Sequence, residues 1–258
     1  MPHVTFTREG GVGLITLNRP PVNAYHLDFV RDLGAAIDEA RADGSVRAVL
    51  VQSALEKFFS AGADLQFFRE STLDARNLFI AVAHETLRRM ERTPKVFIAV
   101  INGHCLGGGL EIALACDLRF AAAGAGNLGQ PEINLGLLPG NGGTQRLPRL
   151  VGRSRALDLM ITGRSVSAEE ALQIGLVDRV FPKEDLAAKA MEYAQKVAEG
   201  PSFASGLIKR AVQEGMEAGL DAGLALEREA MARAFASEDA TEGVAAFTEK
   251  RKPSFKGR

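Results

Sequence analysis

The sequence predicts an α/β body followed by an all-helical C-terminal region. Two observations support this fold class. As far as Pro182, short β-branched runs alternate with stretches in which apolar residues recur at helical spacing. Beyond Pro182 only the helical spacing returns. We therefore expect a boundary near residue 200, with a mixed body that carries the functional site at residues 1–200 and a helical region at residues 201–258.

Strands are predicted where short apolar runs end at turn residues. The first two, residues 4–8 and 12–18, flank Gly10 and Gly11, which is typical of a hairpin. Arg19-Pro20-Pro21 ends the second strand, because proline cannot donate to a sheet ladder. Further strands are expected at residues 47–52, 96–100, 117–122 and 177–181, with an extended piece at residues 127–130.

Helices are predicted where apolar residues recur every three or four positions, as Val30, Leu33 and Ile37 do. The sequence Ser167 to Glu170 fits a capping box at a helix start. The predicted helices span residues 28–41, 73–92, 111–116, 144–151, 154–162, 167–174, 185–199, 203–218, 220–235 and 241–250.

Composition excludes several classes of function. The 31 basic and 32 acidic residues leave a formal charge of −1, so the overall field does not favour nucleic acid or a membrane surface as a partner. No apolar run is long enough to span a bilayer, and no secretory signal begins the sequence. The two cysteines lack C-x-x-C spacing. We expect a cytoplasmic protein with neither a nucleic-acid nor a membrane partner.

Three adjacent glycines, Gly107 to Gly109, lie between the strand at residues 96–100 and the helix that contains Glu111. Without side chains they let a ligand approach the main chain, and the first amides of a helix have no internal partner. The turn therefore suits an oxyanion or a polarised carbonyl. It lacks the spacing of a phosphate loop or a dinucleotide fingerprint. Tight packing alone is the competing explanation for such a cluster.

Several motifs in order resemble the enoyl-CoA hydratase/isomerase family, also called the crotonase family. They are L-N-R-P, F-S-A-G-A-D-L, N-G-H-C-L-G-G-G-L-E, G-Q-P-E-I-N-L-G, P-G-N-G-G-T-Q-R-L and F-x-E-K-R-x-P-x-F, and they cover nearly the whole chain. The resemblance implies a spiral of strand–strand–helix repeats. It also implies a helical C-terminal region that builds trimers, so that a homotrimer or homohexamer is expected.

The resemblance implies catalytic roles at five positions. The main-chain N–H groups of Ala63 and Gly108 match the oxyanion hole that holds the thioester carbonyl of an acyl-CoA, where a side chain at position 108 would obstruct the thioester. Glu111 and Glu132 match the two carboxylates that add water across a 2-enoyl-CoA. The N–H of Gly140 matches the loop that orients this water. By resemblance Glu132 protonates the α-carbon and Glu111 activates the water, although the two can share the task.

The resemblance also implies contacts with coenzyme A, which belongs to the substrate, so no separate cofactor is expected. The helix at residues 73–92, preceded by Phe67 and Phe68, is expected to wall the acyl chain. His3, His26 and His84 show no metal-ligand spacing, and no metal is expected. The positions matched to coenzyme A contacts are Ala61, Ala63, Asp64, Leu65 and Gln66, with Phe247 and Lys250 from the C-terminal region.

Other interpretations stay open at this point. A Δ3,Δ2-enoyl-CoA isomerase needs only one proton-shuttling carboxylate, and a hydratase specialised for a branched or polar acyl group would use both. The stretch Asn23-Ala24-Tyr25-His26 carries bulky polar groups where many family members have leucine and a small residue, and Asn134 places an amide near Glu132 where apolar residues are frequent. Either departure can alter the acyl preference. The pair His104-Cys105 suggests a thiol nucleophile. The basic terminus, residues 250–258, suggests an RNA-binding or scaffold protein.

Overall fold

The computed structural model describes residues 2–258 and confirms a mixed α/β body followed by helices. Strands of three to six residues form the larger sheet, and two- or three-residue strands form the smaller one. The strands are β1 (Val4–Glu9), β2 (Val12–Leu17), β3 (Ala48–Ser53), β4 (Phe58–Ser60), β5 (Val96–Ile101), β6 (His104–Leu106), β7 (Leu118–Ala122), β8 (Leu128–Gly129), β9 (Ser165–Val166) and β10 (Arg179–Phe181).

The helices before residue 200 pack on the sheets or on one another, and those after it form the C-terminal region. They are α1 (Leu27–Ala42), α2 (Leu65–Glu70), α3 (Leu73–Arg92), α4 (Gly108–Leu114), α5 (Gly143–Val151), α6 (Arg153–Thr162), α7 (Ala168–Gln173), α8 (Leu186–Glu199), α9 (Ser202–Glu217), α10 (Leu220–Phe235) and α11 (Glu238–Thr248). A 3₁₀ helix, Pro131–Leu135, follows β8.

The strand order confirms the spiral that the resemblance implied. The larger sheet has the order β1-β2-β3-β5-β7-β10, and the smaller sheet has the order β4-β6-β8-β9. From β3 onward the chain adds one strand to the larger sheet and the next to the smaller sheet, and then forms one or more helices. This happens three times, with β3 and β4, β5 and β6, and β7 and β8. The glycine-rich turns therefore follow neighbouring parallel strands of the smaller sheet.

Both faces of the larger sheet are buried at its inner strands β3, β5 and β7, which explains their continuous apolar runs, whereas the edge strand β1 is largely exposed. Successive side chains of a strand point to opposite faces. Val49 and Val51 of β3 face the core that packs on α1, α3 and α4, whereas Ala48 and Leu50 face α8. The sheet is thus a rigid central layer, and the functional turns extend from one edge of that layer.

Several boundaries predicted from the sequence are wrong. The helix predicted to begin at Glu111 begins at Gly108, so all three glycines lie at or within its start. The short elements β4, β6 and α2 were not predicted. The strand predicted at residues 177–181 is limited to Arg179–Phe181. At α7, Ser167 accepts from the N–H of Glu170 as a cap, but the Glu170 carboxylate pairs with Arg164 instead of completing the box.

The C-terminal region is attached to the body by a buried ion pair. Lys209 of α9 donates to the Asp117 carboxylate at 2.8 Å and to the carbonyl oxygens of Met90 and Lys95. The boundary predicted near residue 200 falls in the turn between α8 and α9 and stays a prediction.

No helix among residues 2–258 is both long enough and apolar enough to cross a membrane. Apolar side chains remain exposed on α9 to α11, namely Met216, Leu220, Phe235, Val244 and Phe247.

Candidate active site

Two turns that lie far apart in sequence touch each other at the edge of the smaller sheet. Gly62 follows β4 and Gly107 follows β6, and these strands are neighbours. A Cβ built on Gly62 would lie 3.2 Å from the Gly108 nitrogen and 2.9 Å from the Leu106 carbonyl oxygen. Gly62 also has φ +93, where only glycine is comfortable. The close approach of the turns brings the N–H groups of Ala63 and Gly108 to one place.

The two N–H groups have no acceptor in the part of the chain that the structure describes. Tyr25 lies along the Ala63 turn, where it donates to the Gly62 carbonyl and accepts from the Asp64 N–H, both at 2.9 Å. Those bonds use the residues on either side of Ala63 and leave its own N–H. Gly108 is the first residue of α4, where an N–H has no helical partner. Among residues 2–258 neither N–H donates to another protein group, so both can donate to a ligand oxygen.

Tyr25 gives position 108 a second reason to be glycine. A Cβ built on Gly108 would overlap the Tyr25 hydroxyl. The tyrosine cannot easily move, because it is only 1 % exposed and its ring packs against Phe29 and Phe79. Its hydroxyl accepts a hydrogen bond from the Asn141 side chain. The sequence interpretation placed the thioester in this space, but the nearer obstacle to a side chain is a residue of the chain itself.

Glu111 is a buried carboxylate that is held by the main chain. It projects from α4 and is 1 % exposed. Its Oε1 accepts from the N–H groups of Asn141 and Gly143, each at 2.7 Å. Burial raises the pKa of Glu111, while the two N–H groups and the charges of Arg146 and His84 oppose this rise. The arrangement fixes one oxygen of the carboxylate in a single place.

Glu132 lies on the other side of the glycine turn. A Cβ built on Gly107 would come within 2.9 Å of its Oε1. With its amide nitrogen turned toward Glu132, Gln130 donates to both carboxylate oxygens, at 3.0 and 3.1 Å. Burial, and to a lesser extent the nearby charge of Glu111, raise the pKa of Glu132 to about 7, although a hydrogen bond from its own N–H opposes this rise. Near neutral pH this carboxyl group can therefore either donate or accept a proton.

The loop that contains Gly140 is held from two helices. His84 of α3 lies 2.6 Å from the Gly140 carbonyl oxygen through Nε2. Arg146 of α5 donates to the Asn141 carbonyl and forms a two-pronged ion pair with Glu91 of α3. The N–H of Gly140 donates to no protein group in the described part of the chain. The structure thus brings Ala63, Gly108, Glu111, Glu132 and Gly140 around one site.

Comparisons with known proteins identify the family. The enoyl-CoA hydratase/isomerase family model matches residues 7–258. The chain belongs to this family. A short-chain-enoyl-CoA hydratase of Clostridium acetobutylicum is 42% identical over 99% of this chain and 98% of its own length. A crotonyl-CoA hydratase of Syntrophomonas wolfei is 38% identical over 98% and 97% of the two chains. A crystal structure of an enoyl-CoA hydratase from Geobacillus kaustophilus superimposes with a TM-score of 0.98 at 46% identity, over 100% of this chain and 98% of that one.

The positions matched to coenzyme A contacts in this family divide into two groups. Ala61 is half-buried in the first turn, and Leu65 and Gln66 are exposed at the start of α2. The Asp64 carboxylate has a structural role, because it caps the N-terminus of α2 and forms an ion pair with Arg19 at 2.7 Å. Burial would raise the pKa of Asp64, but Arg19 and the N–H groups at the helix start lower it.

The second group lies on the C-terminal region. Phe247 is 88 % exposed on α11. Lys250 is exposed just beyond the end of that helix. The exposure of Phe247 means that its own chain gives this ring little to pack on. The contacts of both residues with coenzyme A stay predictions.

The structure disfavours the thiol nucleophile that the sequence left open. Cys105 is fully buried and burial raises the pKa of its thiol well above the ordinary value, which disfavours a nucleophile. Within the described residues, no three His, Cys, Asp or Glu side chains cluster as they do around a metal ion.

The sequence did not predict the contact of His84 with Gly140 or the hydrogen bond between Asn141 and Tyr25. Neither has a local signal, because each joins residues more than 50 positions apart.

Proposed function

We propose that this chain is a 2-enoyl-CoA hydratase, which adds water to the double bond conjugated with a thioester and gives a 3-hydroxyacyl-CoA. One observation carries the proposal. The buried carboxyl group of Glu111 and the half-buried carboxyl group of Glu132 flank a pair of N–H groups that have no acceptor among residues 2–258. The names of the two curated relatives, a short-chain-enoyl-CoA hydratase and a crotonyl-CoA hydratase, support the same reaction class.

The free N–H groups of Ala63 and Gly108 are proposed to bind the thioester oxygen. When water attacks the β-carbon, electrons of the double bond move toward the carbonyl and leave negative charge on this oxygen. Fixed donors stabilise this charge more than the neutral thioester, and each is worth about 3–4 kcal/mol in the transition state. Coenzyme A enters as part of the substrate, and the proposed reaction uses no separate cofactor.

The two glutamates divide the proton transfers in this proposal. Glu111 accepts a proton from water as the oxygen bonds to the β-carbon, and the N–H of Gly140 orients that water. Glu132 gives its proton to the α-carbon. The raised pKa of about 7 supports this role, because an ordinary glutamate at neutral pH carries no proton to give. Exchange of protons with solvent then restores both groups.

The test follows the conjugated-thioester absorbance of crotonyl-CoA. Wild type consumes the substrate, and Glu132→Gln is slower by at least 100-fold, since one general acid contributes about 10²–10⁴ in rate. Glu85→Gln on the exposed face of α3 is the matched control and keeps the wild-type rate. Equal rates for wild type and Glu132→Gln would remove Glu132 from the mechanism.

An isomerase is the second candidate, since the family description names both activities. It requires one carboxylate to move a proton between two carbons. The presence of two carboxyl groups at the site, Glu111 and Glu132, favours hydration. Comparison of a 3-enoyl-CoA with the corresponding 2-enoyl-CoA as substrates separates the two activities. Faster turnover of the 3-enoyl-CoA would favour the isomerase.

We also propose that the chain forms a homotrimer or homohexamer through its C-terminal helices. The exposed apolar side chains on α9 to α11 support this, because such a surface is costly to leave in water. Measurement of the molecular mass in solution by light scattering tests this oligomeric state, and a monomer would contradict it.

A cytoplasmic location is also proposed, and the two free buried thiols fit a reducing compartment.

Nucleic acid is not a proposed partner. In the basic terminus Arg251 pairs with Glu242 and Glu249, and Arg258 pairs with Glu238. These pairs reduce the charge available to phosphates. RNA binding at low salt that survives loss of both catalytic glutamates would favour the scaffold interpretation instead.

A further inference from the structure

A single peptide unit connects α3 to the buried carboxylate of the site. It joins Gly140 to Asn141. Its carbonyl oxygen lies 2.6 Å from His84 Nε2, and its N–H donates to Glu111 Oε1 at 2.7 Å. The imidazole, the peptide and the carboxylate therefore form one continuous line of hydrogen bonds.

In a trans peptide, the direction of the C=O bond fixes the direction of the N–H bond. The C=O and N–H bonds lie in one plane and point in opposite directions, so a rotation of the plane would break both hydrogen bonds together. The bond to His84 thus holds the N–H on Glu111. A donor at the carbonyl oxygen also polarises the amide and strengthens the bond that its N–H makes, by perhaps 10–30%.

The position of His84 on α3 is fixed by packing. Ile80 lies one turn earlier on the same helix face, and its Cδ1 comes within 3.1 Å of a Cβ built on Gly140. At the end of the helix Glu91 holds Arg146, which donates to the Asn141 carbonyl. Helix α3 therefore anchors the loop at two successive carbonyl groups.

The loop needs this support. Gly140 has no side chain to restrict its own backbone, so the orientation of the peptide that follows it depends on the hydrogen bonds at its oxygen and at its N–H. The His84 ring is exposed at the protein surface and its bond to Gly140 spans 56 positions of sequence. The hydrogen bond therefore does little to build the core, and its main consequence falls on the peptide that holds Glu111.

We propose that His84 is a positioning residue for hydration. It donates through Nε2 to the Gly140 carbonyl, fixes the peptide plane and so holds Glu111 in the orientation that activates water. It acts through that peptide and does not touch the substrate. The proposal rests on the role of Glu111 under the proposed function.

The kinetic test compares His84→Leu, which removes the donor, with His84→Gln, whose side-chain nitrogen can reach the same oxygen. We expect kcat for crotonyl-CoA to fall about tenfold in His84→Leu, which corresponds to about 1.4 kcal/mol, near the upper range for one hydrogen bond. KM stays within about twofold, because binding of the thioester is unchanged. His84→Gln recovers at least half of the wild-type kcat, and the control Glu85→Gln keeps all of it.

Other outcomes overturn the proposal. Wild-type kcat in His84→Leu would show that the bond is not needed. Equal loss in His84→Leu and His84→Gln would show that the imidazole acts otherwise than as an Nε2 donor. A rise in KM without a fall in kcat would place His84 in substrate binding. All variants are first compared for thermal stability, which this exposed position should leave within about 0.5 kcal/mol of wild type.

A second measurement needs no substrate. The sequence contains two Gly-Asn pairs, at Asn127 and Asn141. Labelling with carbonyl-¹³C glycine and ¹⁵N asparagine therefore selects two amide signals in a TROSY spectrum of the deuterated protein. The Asn141 amide proton should move upfield in His84→Leu and stay in place in His84→Gln. The Asn127 signal, whose N–H donates to His104, is the internal control. An unmoved Asn141 signal in His84→Leu would contradict the connection.

The two measurements separate the proposals. If wild type fails to hydrate any 2-enoyl-CoA while the Asn141 signal responds as expected, the proposed function fails and the connection through the peptide stands. If hydration proceeds but neither kcat nor the Asn141 signal responds to His84→Leu, only the role of His84 fails.

Discussion

The raised pKa of Glu132 has a consequence for stability that does not depend on any substrate. In the folded chain this carboxyl group holds its proton up to about pH 7, whereas an ordinary glutamate releases it near 4.5. Between these values the folded state binds more protons than the unfolded state. The free energy of unfolding therefore falls as pH rises through this window. Glu132→Gln has no charge to bury and escapes this loss.

The magnitude follows from the two pKa values. The interval from 4.5 to about 7 is about 2.5 pH units, and each unit is worth 1.36 kcal/mol. Wild type should therefore lose about 3 kcal/mol relative to Glu132→Gln between pH 4.5 and pH 8. Because Glu132 keeps some exposure to solvent, we take this as an upper value. Any hydrogen bond to Gln130 that the substitution changes adds an offset that does not vary with pH in this range.

The assay is denaturant unfolding of both proteins from pH 4.5 to 8.5 at one protein concentration, with the difference in free energy plotted against pH. We expect Glu132→Gln to gain on wild type steadily up to about pH 7 and then to level off. Glu85→Gln removes an exposed carboxylate and controls for the change in net charge. A difference that stays flat with pH, or that grows in favour of wild type, would refute the reasoning.

Three further predictions follow from the same contacts. In steady-state assays, kcat/KM of wild type should fall as pH rises through about 7, because Glu132 of the free enzyme loses the proton that it donates; an unchanged kcat/KM to pH 9 would count against this role. Gly108→Ala should cost about 1–3 kcal/mol in chemical unfolding and most of the activity, because the new methyl group meets the Tyr25 hydroxyl, and the stability cost should shrink in a Tyr25→Leu background; an equal cost in both backgrounds would exclude that clash. Lys209→Met should destabilise the chain by about 3 kcal/mol with kcat and KM unchanged, since it leaves the Asp117 carboxylate without its cation; a stability equal to that of wild type would show that this pair does not anchor α9.

The long elements of the fold could be predicted from the sequence. Helix α3 has the predicted bounds, because apolar residues such as Phe79, Leu87 and Met90 recur on one face. The hairpin of β1 and β2 was likewise predicted from glycine between two short runs. The strands β4, β6 and β8 are two or three residues long, which is too short for a period to show. Their role in carrying the turns depends on pairing between distant segments.

The candidate site could be predicted only as far as single motifs reach. Glu111, Glu132 and the two turns were named because each lies in a quoted motif, and the structure brings them together. The contacts that hold these residues in place could not be predicted from the sequence. Asn141 offers its N–H to Glu111 and its side chain to Tyr25, and His84 reaches the loop from a helix. Such contacts depend on how helices pack against loops, and no local sequence pattern predicts them.

The most direct test of the account is a crystal structure of the chain with a 3-hydroxyacyl-CoA bound. We expect the thioester oxygen to lie about 3 Å from the nitrogen atoms of both Ala63 and Gly108, with the 3-hydroxyl group between the carboxyl groups of Glu111 and Glu132. A thioester that binds away from these two nitrogens, or a hydroxyl group that faces neither carboxyl group, would contradict it.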